Sequence, residues 1–151
     1  MIKIKVLAIL ICATVLLTAY TKNIDFEFSF EKADVSSIEM FHFDVPANAE
    51  KKILTEQSDI DAIYDLFENL TLKDKETEDT VGGGVTSFRF NLLDGTNYEL
   101  IYVPQGVKKG RLSSSTEEFD YFTSADIEGY WSDFDIESNP VSEDELPKMS
   151  K

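Results

Sequence analysis

The sequence predicts an α+β domain: a mostly antiparallel sheet of four to six strands, one main amphipathic helix packed on one face, and a short helix near the C-terminal end. Three observations lead there. Apolar residues recur at helical spacing between Asp59 and Leu70. Several short runs alternate apolar and polar residues with period two. Between two of those runs stands Asp94-Gly95, a hairpin signal. A helix with a single apolar stripe needs a surface that buries it, and a sheet face is the simplest one.

Ile24, Phe26, Phe28 and Phe30 alternate with Asp25, Glu27 and Ser29, the pattern of a strand buried on one side. Ser37 to Val45 places Ile38 and Met40 on one face and Phe41, Phe43 and Val45 on the other, so an interior strand is expected. Pro46-Ala47-Asn48 ends it, and Lys51 to Thr55 returns beside it. Ser58 is the expected N-cap of the helix, Asp59 and Asp61 sit in a first turn that favours negative charge, and Ile60, Ile63, Tyr64, Phe67 and Leu70 form the stripe. Lys73 to Gly84 is polar and charged, closes on Gly82-Gly83-Gly84, and reads as the longest loop.

Thr86 to Leu92 and Thr96 to Val103 form the hairpin. A two-residue turn would oppose Phe90 to Glu99. A three-residue loop, Leu93-Asp94-Gly95 with Gly95 left-handed, instead opposes Phe90 to Tyr98, Phe88 to Leu100 and Arg89 to Glu99, which improves both faces. The bulged turn is therefore expected. Pro104-Gln105-Gly106 and the basic run Lys108-Lys109-Gly110-Arg111 make the next turn, a solvated tip. Leu112 to Ser115 and Phe119 to Thr123 read as one further strand, interrupted at Ser114 to Glu117. Ser124 caps a short segment with Ile127, Tyr130, Trp131 and Phe134 at helical spacing, weakened by Gly129. The last residues are acidic and poor in apolar side chains, which predicts disorder.

The first residues read as an address. Lys3 and Lys5 precede an apolar run from Val6 to Leu17 and then Thr18-Ala19, the parts of a bacterial export signal. At about 1.5 Å per residue, Val6 to Ala19 would reach roughly 21 Å, short of a hydrocarbon layer about 30 Å thick. The expected organisation is a signal peptide over 1–19, an exported N-terminal segment or first strand over 20–35, a single α+β domain over 36–139 and a disordered acidic tail over 140–151. The expected location is secreted or associated with the cell envelope, with the signal either cleaved or kept as an N-terminal tether.

The chain of 151 residues carries 14 basic and 29 acidic side chains, one cysteine and one histidine. Without residues 1–19 the basic count, 14 less Lys3 and Lys5, is 12 against 29 acidic, a formal charge of −17, and Cys12 is gone. No disulfide framework is then available, so stability rests on packing. Such a charge disfavours nucleic acid and anionic lipid and favours a cationic protein or peptide. A monomer is expected, with no membrane insertion of the mature domain.

Chemistry is constrained by the same counts. Zinc sites and Ser-His-Asp or Cys-His arrangements would have to use His42, which lies inside an alternating strand pattern and reads as an ordinary strand residue. Asp133, Asp135, Glu137 and Asn139 alternate as in a calcium loop, but Ser138 and Asp144 stand where an EF-hand needs glycine and glutamate, with Pro140 between. A looser calcium site there, or over Asp74 to Asp79, is one alternative to a binding domain. A small carbohydrate-active enzyme using paired carboxylates is the other. Gly82 to Gly84 lacks the following Lys-Ser/Thr of a phosphate loop. Tyr121, Phe122, Tyr130 and Trp131 form the densest aromatic cluster, read as core in preference to a carbohydrate platform. No residue is assigned as catalytic, cofactor-binding or metal-binding, and no cofactor is expected.

Leu17-Thr18-Ala19, the helix from Ser58 to Leu70, and Ser87-Phe88-Arg89-Phe90 through Asp94-Gly95 together resemble small uncharacterised exported lipoproteins of low-GC Gram-positive bacteria. In that family's signal box the next residue is the cysteine that receives the lipid. Here it is Tyr20, which has no thiol, and Cys12 lies within the apolar run. The resemblance implies a cell-envelope location and an α+β domain, and no activity. A non-catalytic binding or interaction domain is the resulting expectation.

Overall fold

The computed structural model describes residues 21–77 and 83–148, so the export signal, Tyr20 and part of the glycine loop lie outside the described residues. The strands are β1 (Asn23–Asp25), β2 (Val35–Phe43), β3 (Glu50–Leu54), β4 (Thr71–Lys73), β5 (Val85–Leu92), β6 (Asn97–Gly106), β7 (Lys109–Ser114), β8 (Asp120–Thr123) and β9 (Asn139–Pro140). The helices are α1 (Gln57–Glu68) and the one-turn α2 (Tyr130–Asp133). Among the described residues, all nine strands join one sheet in the order β1-β4-β8-β7-β6-β5-β2-β3-β9. Every neighbouring pair in it is antiparallel.

This corrects the expected fold of four to six strands. Among the described residues the molecule is mostly one large sheet of nine strands, with one helix longer than a single turn and small 3-10 turns. Three strands account for the difference. β4 is three residues long, too short to show a period, and owes its place to Leu72, which is buried while Thr71 and Lys73 on either side are not. The single interrupted strand is two strands, β7 and β8, which pair with each other through Leu112 and Tyr121. The chain reverses between them because Ser114 Oγ accepts the N–H groups of Thr116 and Glu117, both at 3.1 Å, while donating to Glu99 O at 2.7 Å. A serine so placed supplies a turn where a ladder would otherwise continue. β9 pairs Asn139 and Pro140 with Lys51 and Glu50, so the expected disordered tail over 140–151 begins in a strand, and its described part, 140–148, packs on the sheet.

α1 begins at Gln57, with Glu56 and not Ser58 at the cap position, and the N–H groups of Asp59 and Ile60 go to the Glu56 carbonyl. Its buried stripe is Ile60, Ile63, Tyr64 and Phe67, and Leu70 is buried just beyond its end. These side chains meet Ile38, Met40, Phe88, Leu100 and Leu112 from one face of the sheet. Phe67 and Phe88 are at the centre of that contact, with ring centroids 4.9 Å apart, edge to face.

The alternating segment after β1 is a strand only over Asn23–Asp25. Beyond it, Phe26, Phe28 and Phe30 leave the ladder and pack as an aromatic row against α1 and the β5–β6 hairpin. Phe28 stacks on Tyr64 at 4.5 Å and meets Phe90 at 4.9 Å; Phe30 meets Tyr98 at 5.4 Å. The Tyr64 hydroxyl donates to the Phe30 carbonyl at 2.7 Å and pins the row in place.

The opposite face of the sheet is charged. Arg89 on β5 donates to Glu99 on β6 at 2.6 Å and to Glu39 on β2 at 3.1 Å, and Lys51 on β3 reaches Glu39 at 3.0 Å. Glu99 also accepts from Ser115. Four adjacent strands are thus tied by alternating charges, at sites where the carboxylates are largely removed from water and screening is weak.

Candidate functional site

The bulged hairpin builds one wall of a cleft. Leu92 N–H donates to Thr96 O at 2.9 Å and Gly95 N–H to Leu92 O at 3.0 Å, with Gly95 at φ 86°, closing the three-residue loop Leu93-Asp94-Gly95. The register is Phe90 with Tyr98, Phe88 with Leu100 and Arg89 with Glu99, as the sequence predicts. Asp94 fixes the loop further: its carboxylate accepts Thr96 N–H at 2.8 Å and Thr96 Oγ1 at 2.6 Å. Those bonds, the hydroxyl's first, hold the Asp94 carboxyl below the usual carboxylate range, so it stays charged at neutral pH.

The other wall is the 3-10 turn Lys32–Asp34 with the end of the aromatic row. The Asp34 carboxylate accepts Glu31 N–H at 3.1 Å, and the Asp34 carbonyl accepts Leu93 N–H at 2.8 Å, which joins the two walls. Lys32 points away from the cleft to Asp65 on α1, at 2.6 Å.

The cleft holds about 660 Å³, with Phe30, Tyr98 and Leu92 among the residues that border it and Leu93, 71% exposed, beside them. Among the described residues, Asp34 and Asp94 are its charged lining residues, and Ser29, Thr96 and Asn97 are its neutral polar ones. The Tyr98 hydroxyl is kept protonated well above its ordinary range by burial and then by Glu117, to which it donates at 3.1 Å. The arrangement can hold a cation between two carboxylates and two aromatic rings. Its hydroxyl beside a carboxylate, Thr96 Oγ1 on Asp94 at 2.6 Å, is part of the turn that closes the hairpin.

The residues singled out in the sequence are dispersed elsewhere. His42 lies on β2 with Nδ1 3.0 Å from Thr86 Oγ1 and its ring stacked on Trp131 at 5.5 Å. Of the aromatic cluster, Tyr130 enters the core beside Phe67, Tyr121 stacks on Phe119 at 6.0 Å, and Phe122 faces the opposite side of the sheet under Lys75. Trp131 carries Lys52 at 4.7 Å over its ring. The basic run divides between two acids: Lys108 reaches Asp126 at 3.2 Å and Arg111 reaches Asp120 at 2.7 Å. Among the described residues, Asp133, Asp135, Glu137 and Asp74 join no group of three or more metal-ligating side chains.

Two features had little signal in the sequence. The cleft depends on Phe30 and Asp34 meeting residues some sixty positions later, and only the Asp94-Gly95 turn pointed to its location. Lys52 is 9% exposed, and its ammonium donates to the carbonyls of Trp131 and Phe134 at 2.7 and 2.8 Å, closing the short helix α2. No helix among the described residues is long and apolar enough to cross a membrane. Comparison with protein-family models, with curated proteins and with solved structures finds no match.

Proposed function

We propose that this chain is an exported protein of the cell envelope whose domain binds a cationic partner, a basic protein or peptide, in the cleft between Phe30-Asp34 and the β5–β6 turn, without catalysis. The observation that carries the reading is the lining: Asp34, Asp94, Phe30 and Tyr98 border a single cleft, with no basic residue among its described lining residues. Lys and Arg side chains are attracted to carboxylates and to aromatic rings. The charge of −17 beyond residue 19 supports the same reading, because long-range attraction raises the rate at which a cation arrives. Export rests on Lys3, Lys5 and the apolar run to Ala19.

The test is calorimetric titration with a tetralysine peptide at low and moderate salt. Replacing Asp34→Asn and Asp94→Asn together is expected to weaken binding by about tenfold or more, the scale of two lost charge-assisted contacts. Asp135→Asn with Glu137→Gln, remote from the cleft, serves as a charge-matched control. Equal losses in the two double variants would leave only general electrostatics and reject the cleft. For export, the intact mass of the native protein is expected to show a free N-terminus at Tyr20, or Met1 if the signal is kept. A diacylglycerol adduct would contradict the reading.

A further inference from the structure

Residues 139–148 lie across the sheet on the face away from α1. After β9, Val141 N–H donates to Ala49 O at 3.0 Å, and Leu146, 9% exposed, packs on Phe41 and Ala49. Between them Glu145 binds two strands at once: its carboxylate accepts from Lys51 at 3.0 Å and its carbonyl from Arg89 at 2.9 Å. The same two cations flank the ring of Phe41, at 5.7 and 5.0 Å from its centre. The floor is therefore an apolar ring flanked by two cations, which Glu39 and Glu99 hold in place beside it. It fits an acidic residue followed by leucine.

The segment is held by few contacts. Its ladder with β3 is two residues long, its ion pair to Lys51 leaves Glu145 about half exposed, and no part of it enters the core under α1. Segments with so few buried contacts open without unfolding the rest of the molecule. One group on the floor is also left unsatisfied: Ser87, opposite Phe41 in the β2–β5 register and 1% exposed, has no hydrogen-bond partner for its hydroxyl. A buried hydroxyl without a partner is destabilising. The cis segment is fixed in register at Pro140.

We propose that the face of β2, β3 and β5 around Phe41 is a peptide-binding groove, closed in cis by residues 141–148, and that its occupant in trans is the same segment of a second copy of this chain. Groove and segment already meet through the Lys51–Glu145 ion pair and the packing of Leu146 on Phe41, and exchange of an identical element is a low-cost route to association. The inference does not depend on the cation cleft, which lies with α1 on the other side of the sheet's core.

The experiment uses a fluorescent peptide of residues 139–148 and the full chain carrying Leu146→Asp, which removes the cis competitor and keeps the groove. Followed by anisotropy at about 0.15 M salt, where repulsion between acidic molecules is screened beyond about 8 Å, the peptide should bind this variant at least about tenfold tighter than the parent, since a closed groove reduces apparent affinity by the fraction open. Peptide with Leu146→Asp, or with the same composition scrambled, should not bind. A folded variant that takes up no peptide, or takes up the scrambled one equally, overturns the proposal. Should the variant fail to fold, amide exchange in the parent decides: Val141 and Leu146 are expected to exchange at least about a hundredfold faster than Phe90. Exchange of all three at one common rate would mean that the segment leaves only when the molecule unfolds, and would overturn it too.

Discussion

The backbone N–H of Leu93 donates to the carbonyl of Asp34 at 2.8 Å, fastening the tip of the β5–β6 hairpin to the turn that precedes β2. This bond joins the two walls of the cleft, and neither partner uses its side chain. Leu93→Pro removes the donor at a turn position where proline is otherwise favoured. It is expected to cost about 1 kcal/mol in urea unfolding, the net worth of one such bond, and to weaken tetralysine binding. A loss no larger than that of Leu93→Ala would show that the bond does not hold the cleft.

Gly95 has φ 86°, and a Cβ added there would meet nothing within 4 Å. Any penalty for a side chain is thus conformational and not steric crowding by neighbours. Gly95→Val should destabilise by about 1 to 2 kcal/mol while Gly95→Asn loses much less, because asparagine tolerates left-handed backbone. Thermal melts that fall equally for the two would reject the left-handed loop as the source of the register.

Lys52 closes α2 through the carbonyls of Trp131 and Phe134. Lys52→Met keeps the aliphatic length and removes the donors, leaving two carbonyls short of partners. The expected destabilisation is about 1 to 3 kcal/mol. Trp131, the only tryptophan, also loses the ammonium over its ring, so its emission should shift before the main transition. Unchanged emission together with an unchanged melting temperature would refute this role.

Four tyrosines resist ionisation. Burial, with lesser help from nearby acids, pushes Tyr64 and Tyr102 up to about 12, and raises Tyr98 and Tyr130 as well. In the unfolded chain these hydroxyls ionise near 10. Below that value both states hold the protons and stability is unaffected; above it the unfolded state releases them first and stability falls as pH rises towards 12. Tyrosinate absorbance in the native protein should therefore appear late, and together with unfolding. Early ionisation of all six tyrosines near pH 10 with the fold intact would contradict the burial of these four.

What could be read in the sequence was local. The Asp94-Gly95 turn and the residues it opposes determine the β5–β6 register, and the stripe from Ile60 to Phe67 determines which side of α1 is buried. What escaped depends on pairing at a distance. Leu72 makes β4 only because β1 and β8 lie on either side of it, and Asn139-Pro140 becomes a strand only against β3. The phenylalanines at 26, 28 and 30 keep the spacing of a strand yet find ring partners in place of a ladder, a choice that periodicity does not distinguish. Half of the cleft was lost with them, since Phe30 and Asp34 reach it through that row.

The strand order has a consequence for when this chain can fold. β5 to β8 are joined in sequence as neighbours, but β2 must wait for β5, β4 for β8, and β3 for β9. A ribosome or a translocation channel releases the N-terminal end first, so everything up to Lys73 emerges before the strands that would complete its ladders. Until residue 123 is out, the sheet has no continuous path from β1 to β3. Closing such distant pairs is slow even afterwards, because the entropy of long loops is lost before the contacts form. The chain should therefore remain threadable through most of its own synthesis, and a fragment ending at Leu92 should show neither cooperative melting nor protease resistance.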